Sequence, residues 1–318
     1  MKGRHKKTPH KKTSQLPLTH ALGWIVVSTL FITGISYSGF KYYLRYRYRE
    51  AYSTDYLVRS IIQTGPQKEA LKTEVIAEIL GISQDHPPSA LLFDLAEAKR
   101  KLLEFPLIAR AEVKLIKPNK LYVDYTVRKP IAWLEDFENV VIDKEGMPFP
   151  FAPFFSPKNL PKIYLGLRPF GVSSDDAAKP LMMWGRSLDG THLQLALELL
   201  TLVADPKWSD YFHKLRIDVS NACAESYGRR EVVLTIEDEI CTRAKDADVR
   251  YIFPRILRLA PKDFAQQLGN YLKLRPQLIA EEQKHLPNHV AHAAAVTAER
   301  RVIDFRIPQL AFIDESKR

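Results

Sequence analysis

A long uninterrupted apolar stretch is the first feature in the pattern of hydrophobic and polar residues. Residues 21–40 are apolar or hydroxylated throughout, and no Asp, Glu, Lys or Arg occurs between Leu16 and Phe40. Twenty helical residues span about 30 Å, which is the thickness of the hydrocarbon core of a membrane. The pattern predicts a transmembrane helix at residues 21–43, preceded by a tail of residues 1–20.

Helical spacing gives way to strand alternation within residues 55–128. A short strand near residues 57–63 is followed by two amphipathic helices, the first capped by Thr73 and the second opened by Asp94 and Glu97 in a capping-box arrangement. Apolar and polar residues then alternate on both sides of a turn at residues 117–120. The order strand, helix, helix, strand, strand predicts a small sheet covered on one side.

Residues 129–318 predict a second domain that consists mostly of strands. The predicted fold class is α+β: a transmembrane helix, a β-α-α-β-β domain, and a mostly antiparallel β domain with flanking helices. The expected strands are residues 131–134, 140–142, 215–219, 232–236 and 255–259, and the expected helices are residues 191–203 and one that carries Phe264, Leu268 and Leu272. Residues 275–299 are compatible with helix or loop, and residues 302–313 form an extended run interrupted by Pro308.

The excess of basic residues is confined to the N-terminal segment. The formal net charge is +10, and residues 1–49 hold ten Lys or Arg and no acid, so residues 50–318 carry 37 basic and 37 acidic side chains. A protein that binds nucleic acid needs an excess of basic side chains on a folded face. Because residues 50–318 have no such excess, no nucleic-acid partner is predicted. We expect the short basic tail to stay in the cytoplasm. The residues expected at the membrane interfaces are Lys12, Trp24, Lys41, Tyr42 and Tyr43.

A cleaved signal peptide is the alternative to an anchor. Its apolar region is usually about 7 to 15 residues long and ends at a small-x-small cleavage site. The stretch here is longer, and the basic, tyrosine-rich run of residues 41–49 is a poor cleavage site. The sequence therefore favours an uncleaved anchor with the bulk of the chain outside the cytoplasm.

The sequence carries none of three common catalytic motifs. The sequence has no Gly-x-x-x-x-Gly-Lys phosphate loop, no Gly-x-Ser-x-Gly elbow and no His-Glu-x-x-His. No catalytic residue, cofactor or small-molecule substrate is predicted. The acidic runs Asp175-Asp176 and Glu237-Asp238-Glu239 are expected to be turn or exposed-strand charges rather than a catalytic pair.

Two further groups could carry chemistry. His285, His289 and His292 could share a helical face and bind a metal, but Pro287 interrupts that helix and no Cys or carboxylate completes the set. A solvated surface segment is therefore favoured, and no metal is predicted. The strand pairing expected for Cys223 and Cys241 would separate them by about 25 Å, far beyond the reach of a disulfide. Two free, partly buried thiols are expected.

Several short motifs follow one another along the chain. They are Phe105-Pro106-Leu107-Ile108, Lys117-Pro118-Asn119-Lys120-Leu121, Arg128-Lys129-Pro130-Ile131-Ala132-Trp133, Val141-Ile142-Asp143 and Ile303-Asp304-Phe305-Arg306. Their order behind an N-terminal anchor resembles the FtsQ/DivIB family of bacterial cell-division proteins, and the resemblance covers nearly the whole chain from the anchor to Phe312.

The resemblance implies a POTRA domain at residues 55–128 and a C-terminal β domain at residues 129–318. It also implies a non-enzymatic scaffold in the inner membrane at the division septum, whose partners are FtsB-like and FtsL-like bitopic coiled-coil proteins. We expect binding by strand addition to an exposed edge at residues 302–312, because Pro308 is tolerated only at an edge. The expected partner-binding residues are Val302, Ile303, Phe305, Arg306, Ile307, Gln309 and Ala311.

Two other functions remain open from the sequence. One is an anchored envelope protein with a single POTRA-like domain that acts in secretion or outer-membrane assembly. Outer-membrane members of that group normally end in a barrel, and the sequence has no succession of amphipathic membrane strands. The other is an anchored hydrolase with an unrecognised site, which the absence of a nucleophile and base constellation disfavours. Localisation at the septum would distinguish the division scaffold from both.

Overall fold

The computed structural model describes residues 18–66, 68–167, 184–243, 248–284 and 295–314. Five α-helices occur in these ranges: α1 Leu18–Ala51, α2 Thr73–Leu80, α3 Leu95–Glu104, α4 Thr191–Ala204 and α5 Phe264–Gln283. The first strands are β1 Ser60–Thr64, β2 Ile108–Ile116, β3 Lys120–Val127, β4 Ala132–Leu134, β5 Val140–Ile142, β6 Pro148–Pro150 and β7 Lys162–Tyr164. The later strands are β8 His213–Asp218, β9 Val232–Arg243, β10 Asp248–Leu259, β11 Ala295–Thr297, β12 Arg301–Asp304 and β13 Phe312–Asp314.

Two compact units divide the chain. The first comprises Met1–Ile62, Ile82–Asp94 and Leu115–Leu121. Within it, α1 leads into a segment whose backbone bonds hold Val58 to Pro88 and Arg59 to Asn119. The second unit contains the rest of the chain and the large sheet.

Helix α1 contains the apolar stretch that the sequence predicts to span a membrane. The segment Leu22–Glu50 is long and apolar enough to do so by length and composition. The helix ends at Ala51 rather than near residue 43, because residues 41–51 contain neither Gly nor Pro and nothing there breaks the helical hydrogen bonding. Residues 44–51 therefore extend the helix by about 12 Å beyond its predicted end.

The β-α-α-β-β segment forms a three-stranded sheet in the order β1-β3-β2. Alternation on β3 buries Leu121, Val123 and Tyr125, so one face of the strand is covered, as the alternation after the turn predicts. The hydroxyl of Tyr125 accepts the backbone N–H of Leu71 at 2.8 Å. Gly65 makes room for the ring, since a Cβ there would lie 2.7 Å from a ring carbon of Tyr125.

The start of α2 differs from the prediction. Thr73 is the first helical residue, and the N-cap is Lys72, which makes no side-chain cap hydrogen bond. The end of the helix agrees with expectation, because Gly81 adopts the left-handed conformation with φ 68°.

A ten-stranded sheet forms the core of the C-terminal part in the order β13-β12-β10-β9-β8-β7-β4-β5-β6, with β11 also beside β10. Among the described strands, five of its pairings are antiparallel and four are parallel. Parallel pairs need a crossover. Helix α4 lies in the connection from β7 to β8, and α5 lies in that from β10 to β11. The apolar faces of both helices pack on the sheet.

An ionic network is buried where α5 covers β9 and β10. The guanidinium of Arg255 is fully buried and donates to both carboxylate oxygens of Glu282, at 2.5 and 2.7 Å. Asp238 is also fully buried and accepts from the hydroxyl of Tyr271 and from Arg275, at 2.5 and 2.8 Å. The expectation that Asp238 is an exposed-strand charge is wrong, because α5 folds over this part of β9.

The cysteines correct a second expectation. Cys223 and Cys241 are free, as predicted, but both are exposed rather than partly buried. Cys223 follows β8 in a loop, and Cys241 lies near the end of β9, beyond the buried apolar alternation of Val232, Leu234 and Ile236.

Candidate partner-binding edge

The two ends of the large sheet offer different edges to a partner. At one end, β6 carries Pro148 and Pro150, which have no backbone N–H and so cannot donate to another strand. At the other end, β13 contains no proline, and no described strand pairs with its outer side. Of these two ends, the β13 end is therefore the one that can accept an added strand.

The direction of the backbone groups on β13 follows from the bonds of its neighbour. The N–H of Phe305 donates to the carbonyl of Arg258 on β10, so Ile303, two residues earlier, also directs its backbone toward β10. Asp304 must then face β13, where its partner is Phe312. Alternation leaves Ile313 as the residue whose N–H and C=O point to the open edge.

The predicted partner-binding run is not a single extended edge. Strand β12 ends at Asp304 and is covered on both sides, by β10 and by β13. Ile303 and Phe305 are buried in the core, and Val302 is half-buried. These three residues are therefore internal to the sheet and not free to pair with a partner strand.

Pro308 lies in a turn and not in an edge strand. The N–H of Leu310 donates to the carbonyl of Ile307 at 3.3 Å, and Gln309 has φ 65°. Proline at the second position and positive φ at the third are the features of a type II turn. The chain reverses here, which brings Phe312–Asp314 back along β12.

Apolar side chains cluster around this turn and the open strand. Ile307, Leu310, Phe312 and Ile313 have exposed fractions of 50%, 54%, 55% and 36%. Gln309 and Ala311, which the sequence also assigned to the partner surface, are exposed beside them. We call Ile307, Leu310, Phe312 and Ile313 the edge cluster. Leu310, Phe312 and Ile313 were not among the predicted residues, although the alternation-breaking run Leu-Ala-Phe-Ile is visible in the sequence.

A groove of about 1020 Å³ adjoins the edge cluster. Phe312, Ile307 and Arg306 form one part of its lining, and Leu195 of α4 and Lys262 form another. Tyr227, which is 83% exposed, and Arg230 also line the groove, and the Arg230 guanidinium lies 4.1 Å from the Tyr227 ring centroid. The groove combines apolar surface with the basic side chains of Arg230 and Lys262, beside the ion pair of Arg306 with Asp304, so it suits an apolar segment that carries acidic residues.

Arg306 is fixed by an ion-pair network beside the groove. Its guanidinium contacts Asp304 at 2.7 Å and also donates to the carbonyl of Gly228 at 2.9 Å. The network extends to Arg258, whose guanidinium lies 2.5 Å from the carboxylate of Glu231. Burial alone would raise the pKa of Asp304, but hydrogen bonds from the side chain and backbone of Arg306 hold that pKa below its ordinary value.

Acid will weaken the fold through Asp304. A carboxyl group whose pKa is lower in the folded chain than in the unfolded chain adds stability at pH values above its ordinary pKa of about 3.9, and this stability is lost as the pH falls through the folded value. The stability difference between wild type and Asp304→Asn should therefore shrink below about pH 4. Urea unfolding of both proteins from pH 6 to pH 3 measures it, and a constant difference would contradict this role.

The remaining predicted residues lie away from the edge. Trp24, Lys41, Tyr42 and Tyr43 are exposed on α1, whereas Lys12 lies outside the described residues. His285, His289 and His292, together with Asp175 and Asp176, also lie outside the described residues. Among the residues that the structure does describe, no three His, Cys, Asp or Glu side chains form a group that could hold a metal ion.

Comparison with known families matches the strand-helix-helix-strand-strand segment. Residues 58–124 match the POTRA domain of FtsQ type. No match was found among curated proteins. The N-terminal apolar helix and this domain together make the chain an FtsQ/DivIB-like POTRA protein of mixed α+β fold, with a mostly β domain after the POTRA domain.

Proposed function

We propose that the protein is a non-enzymatic scaffold of the bacterial division machinery, anchored in the inner membrane with its N-terminus in the cytoplasm. The bulk of the chain then lies outside the cytoplasm and acts at the septum. The observation that carries the proposal is the FtsQ-type POTRA domain behind a helix long enough to span a membrane. Its partners are FtsB-like and FtsL-like bitopic coiled-coil proteins.

Strand addition at β13 is the proposed binding mechanism. A partner strand would receive the N–H and C=O of Ile313, but each hydrogen bond adds only about 0.5 to 1.5 kcal/mol net. Two such bonds cannot hold a complex by themselves. Burial of the edge cluster supplies the larger part, since a fully buried large apolar side chain adds about 1.5 to 3 kcal/mol.

Anchoring strengthens this weak contact. If both proteins span the same membrane, their extracytoplasmic parts meet at a high effective concentration, so a modest interface suffices for stable association. The basic groove beside the edge cluster would receive acidic residues that flank the partner's added strand and so help to set its position.

Proline at Ile313 should abolish partner binding. It removes the outward N–H, and its ring blocks the approach of another strand, while the bonds between β13 and β12 are made by Phe312 and Asp314. Ile313→Ala keeps the donor and should retain more binding. Co-purification of both full-length variants with the coiled-coil partners measures this, and equal yields of partner would contradict strand addition.

Two of the partner-binding residues that the sequence predicts, Phe305 and Ala311, suit this test less well than Ile313. Proline at Phe305 would break the protein's own bond to Arg258, so a loss of binding there would not report on the edge. Ala311 lies before β13 and tests the edge less directly. Ile313 is the position where proline removes the fewest hydrogen bonds within the protein's own sheet.

Localisation separates the division scaffold from the envelope alternative. A fluorescent fusion to the N-terminus should collect at mid-cell as division begins. Even distribution around the envelope throughout the cell cycle would contradict the proposed function. The Ile313→Pro fusion provides a further comparison, because it should still insert and still carry a folded POTRA domain.

A further inference from the structure

Basic side chains form a stripe on the part of α1 that extends beyond the apolar stretch. Lys41, Arg45, Arg47 and Arg49 are all exposed there. Each step of four residues advances an α-helix by about 40°, so Lys41, Arg45 and Arg49 lie within about 80° of its circumference. We call these three residues the anchor stripe.

Tyrosines lie on both sides of the anchor stripe. Helical spacing places Tyr42 and Tyr46 along one side of the anchor stripe and Tyr48 at the other, while Tyr52, one residue past the end of α1, lies in line with the stripe itself. The rings of Tyr48 and Tyr52 stack with centroids 6.5 Å apart. Tyrosine is enriched at the level of lipid headgroups, and its hydroxyl can donate to a phosphate oxygen.

Lys41 and Arg45 lie at the depth of the headgroup layer, and Arg49 lies beyond it. If residues 21–40 fill the hydrocarbon core, Lys41 lies at its boundary, Arg45 about 6 Å further out and Arg49 about 12 Å further out. The headgroup layer is about 5 to 8 Å thick on each side. Helical side chains tilt toward the N-terminus, which here is toward the membrane, so long arginine side chains reach back into that layer.

The opposite side of the same helical segment is balanced in charge. Arg47 lies there, three residues before Glu50, the first acidic residue of the chain. The basic excess is therefore concentrated on the anchor stripe. In the proposed orientation, basic residues after the span act against correct insertion, because the cytoplasmic side normally holds the basic excess. Their concentration on one side suggests a role other than topology.

We propose that the anchor stripe binds the phosphates of anionic phospholipids in the leaflet where α1 leaves the membrane. The inference rests on the proposed membrane anchor. Charge complementarity between three clustered cations and lipid phosphates drives the binding, and the hydroxyls of Tyr42 and Tyr46 add hydrogen-bond donors at the depth of the headgroups. The consequence is an anchor that collects anionic lipid around itself and resists sliding along the membrane normal.

Spin-labelled lipids provide the test. The full-length chain is reconstituted in phosphatidylcholine vesicles, and flotation first shows whether it inserts. Electron paramagnetic resonance then measures how strongly spin-labelled phosphatidylglycerol associates with the protein relative to spin-labelled phosphatidylcholine. We expect the wild type to favour phosphatidylglycerol by about 5-fold or more and to lose that preference as NaCl rises, since each cation near a lipid surface adds a comparable factor.

Arg45→Gln and Arg47→Gln form a matched pair with the same charge change one half-turn apart. Arg45→Gln should lower the preference for phosphatidylglycerol several-fold, and Arg47→Gln should leave most of it. A wild-type protein that inserts but associates equally with both lipids would overturn the inference. An acidic protein segment would then be the favoured partner of the anchor stripe. If both variants lowered the preference for phosphatidylglycerol equally, the inference would also be overturned, because the lipid would not distinguish the anchor stripe from the opposite side of the helix. Failure of the wild type to float with vesicles would instead contradict the anchor itself.

Discussion

Replacing Arg255 with methionine will lower the free energy of unfolding of the β domain by about 3 to 5 kcal/mol. The guanidinium of Arg255 is completely buried and binds both oxygens of Glu282, and it lies 3.5 Å from Asp238. Methionine fills similar space but leaves the Glu282 carboxylate in the interior, with Arg301 as its remaining ion-pair partner among the residues that the structure describes. Urea unfolding of the chain from residue 52 onward measures the loss.

Two controls separate charge from packing in this experiment. Arg258→Met removes an arginine from the same strand, but its pair with Glu231 is partly exposed, so the cost should be below about 1 kcal/mol. Combining Arg255→Met with Glu282→Leu removes both partners and should recover most of the stability. An Arg255→Met protein as stable as wild type would show that the network is not coupled to folding.

Introducing a charge at Val123 will unfold the POTRA domain. Val123 lies on β3 with no solvent exposure, between Leu121 and Tyr125 on the buried face. Val123→Asp places an unpaired carboxylate in that core, which costs at least several kcal/mol, a large share of the stability of a small domain. The measurement is circular dichroism and thermal unfolding of the chain from residue 52 onward.

Asp124→Ser is the matched control on the neighbouring position. Asp124 points to the other face of the sheet and is only partly covered. Its replacement should change stability by less than about 0.5 kcal/mol. If Val123→Asp were tolerated as well as Asp124→Ser, the assignment of the buried face would be wrong.

The POTRA strands were predictable because the signal for them is local. Alternation at Leu121, Val123 and Tyr125 can be read from eight consecutive residues, and Gly81 marks the end of α2 by its own conformational freedom. The family match at residues 58–124 covers this same part of the chain.

The open edge was predictable only as a region. Pro308 is compatible with both an edge strand and a turn, and the third turn position holds Gln309 instead of the glycine that would have indicated a turn. Which residue faces outward depends on the pairing of β12 with β10, whose sequence positions are far apart. Alternation near residue 313 cannot supply that information.

Burial of Asp238 was also beyond local reasoning. The run Glu237-Asp238-Glu239 has the composition of an exposed strand, and its middle residue becomes internal only because α5 brings Tyr271 and Arg275 onto it. Such partners lie more than thirty residues away along the chain. The network therefore becomes visible only in the folded structure.

Disulfide cross-linking in cells tests most directly whether a partner adds a strand to β13. Cys223 and Cys241 are first replaced by serine, since both are exposed and would compete. Single cysteines at Phe312 and at Ile313 are then combined with a cysteine scan of the FtsB-like partner. Strand addition predicts that each position cross-links to partner residues two apart, and that the two sets interleave. Cross-links spaced three or four residues apart, or none at either position, would contradict binding at this edge.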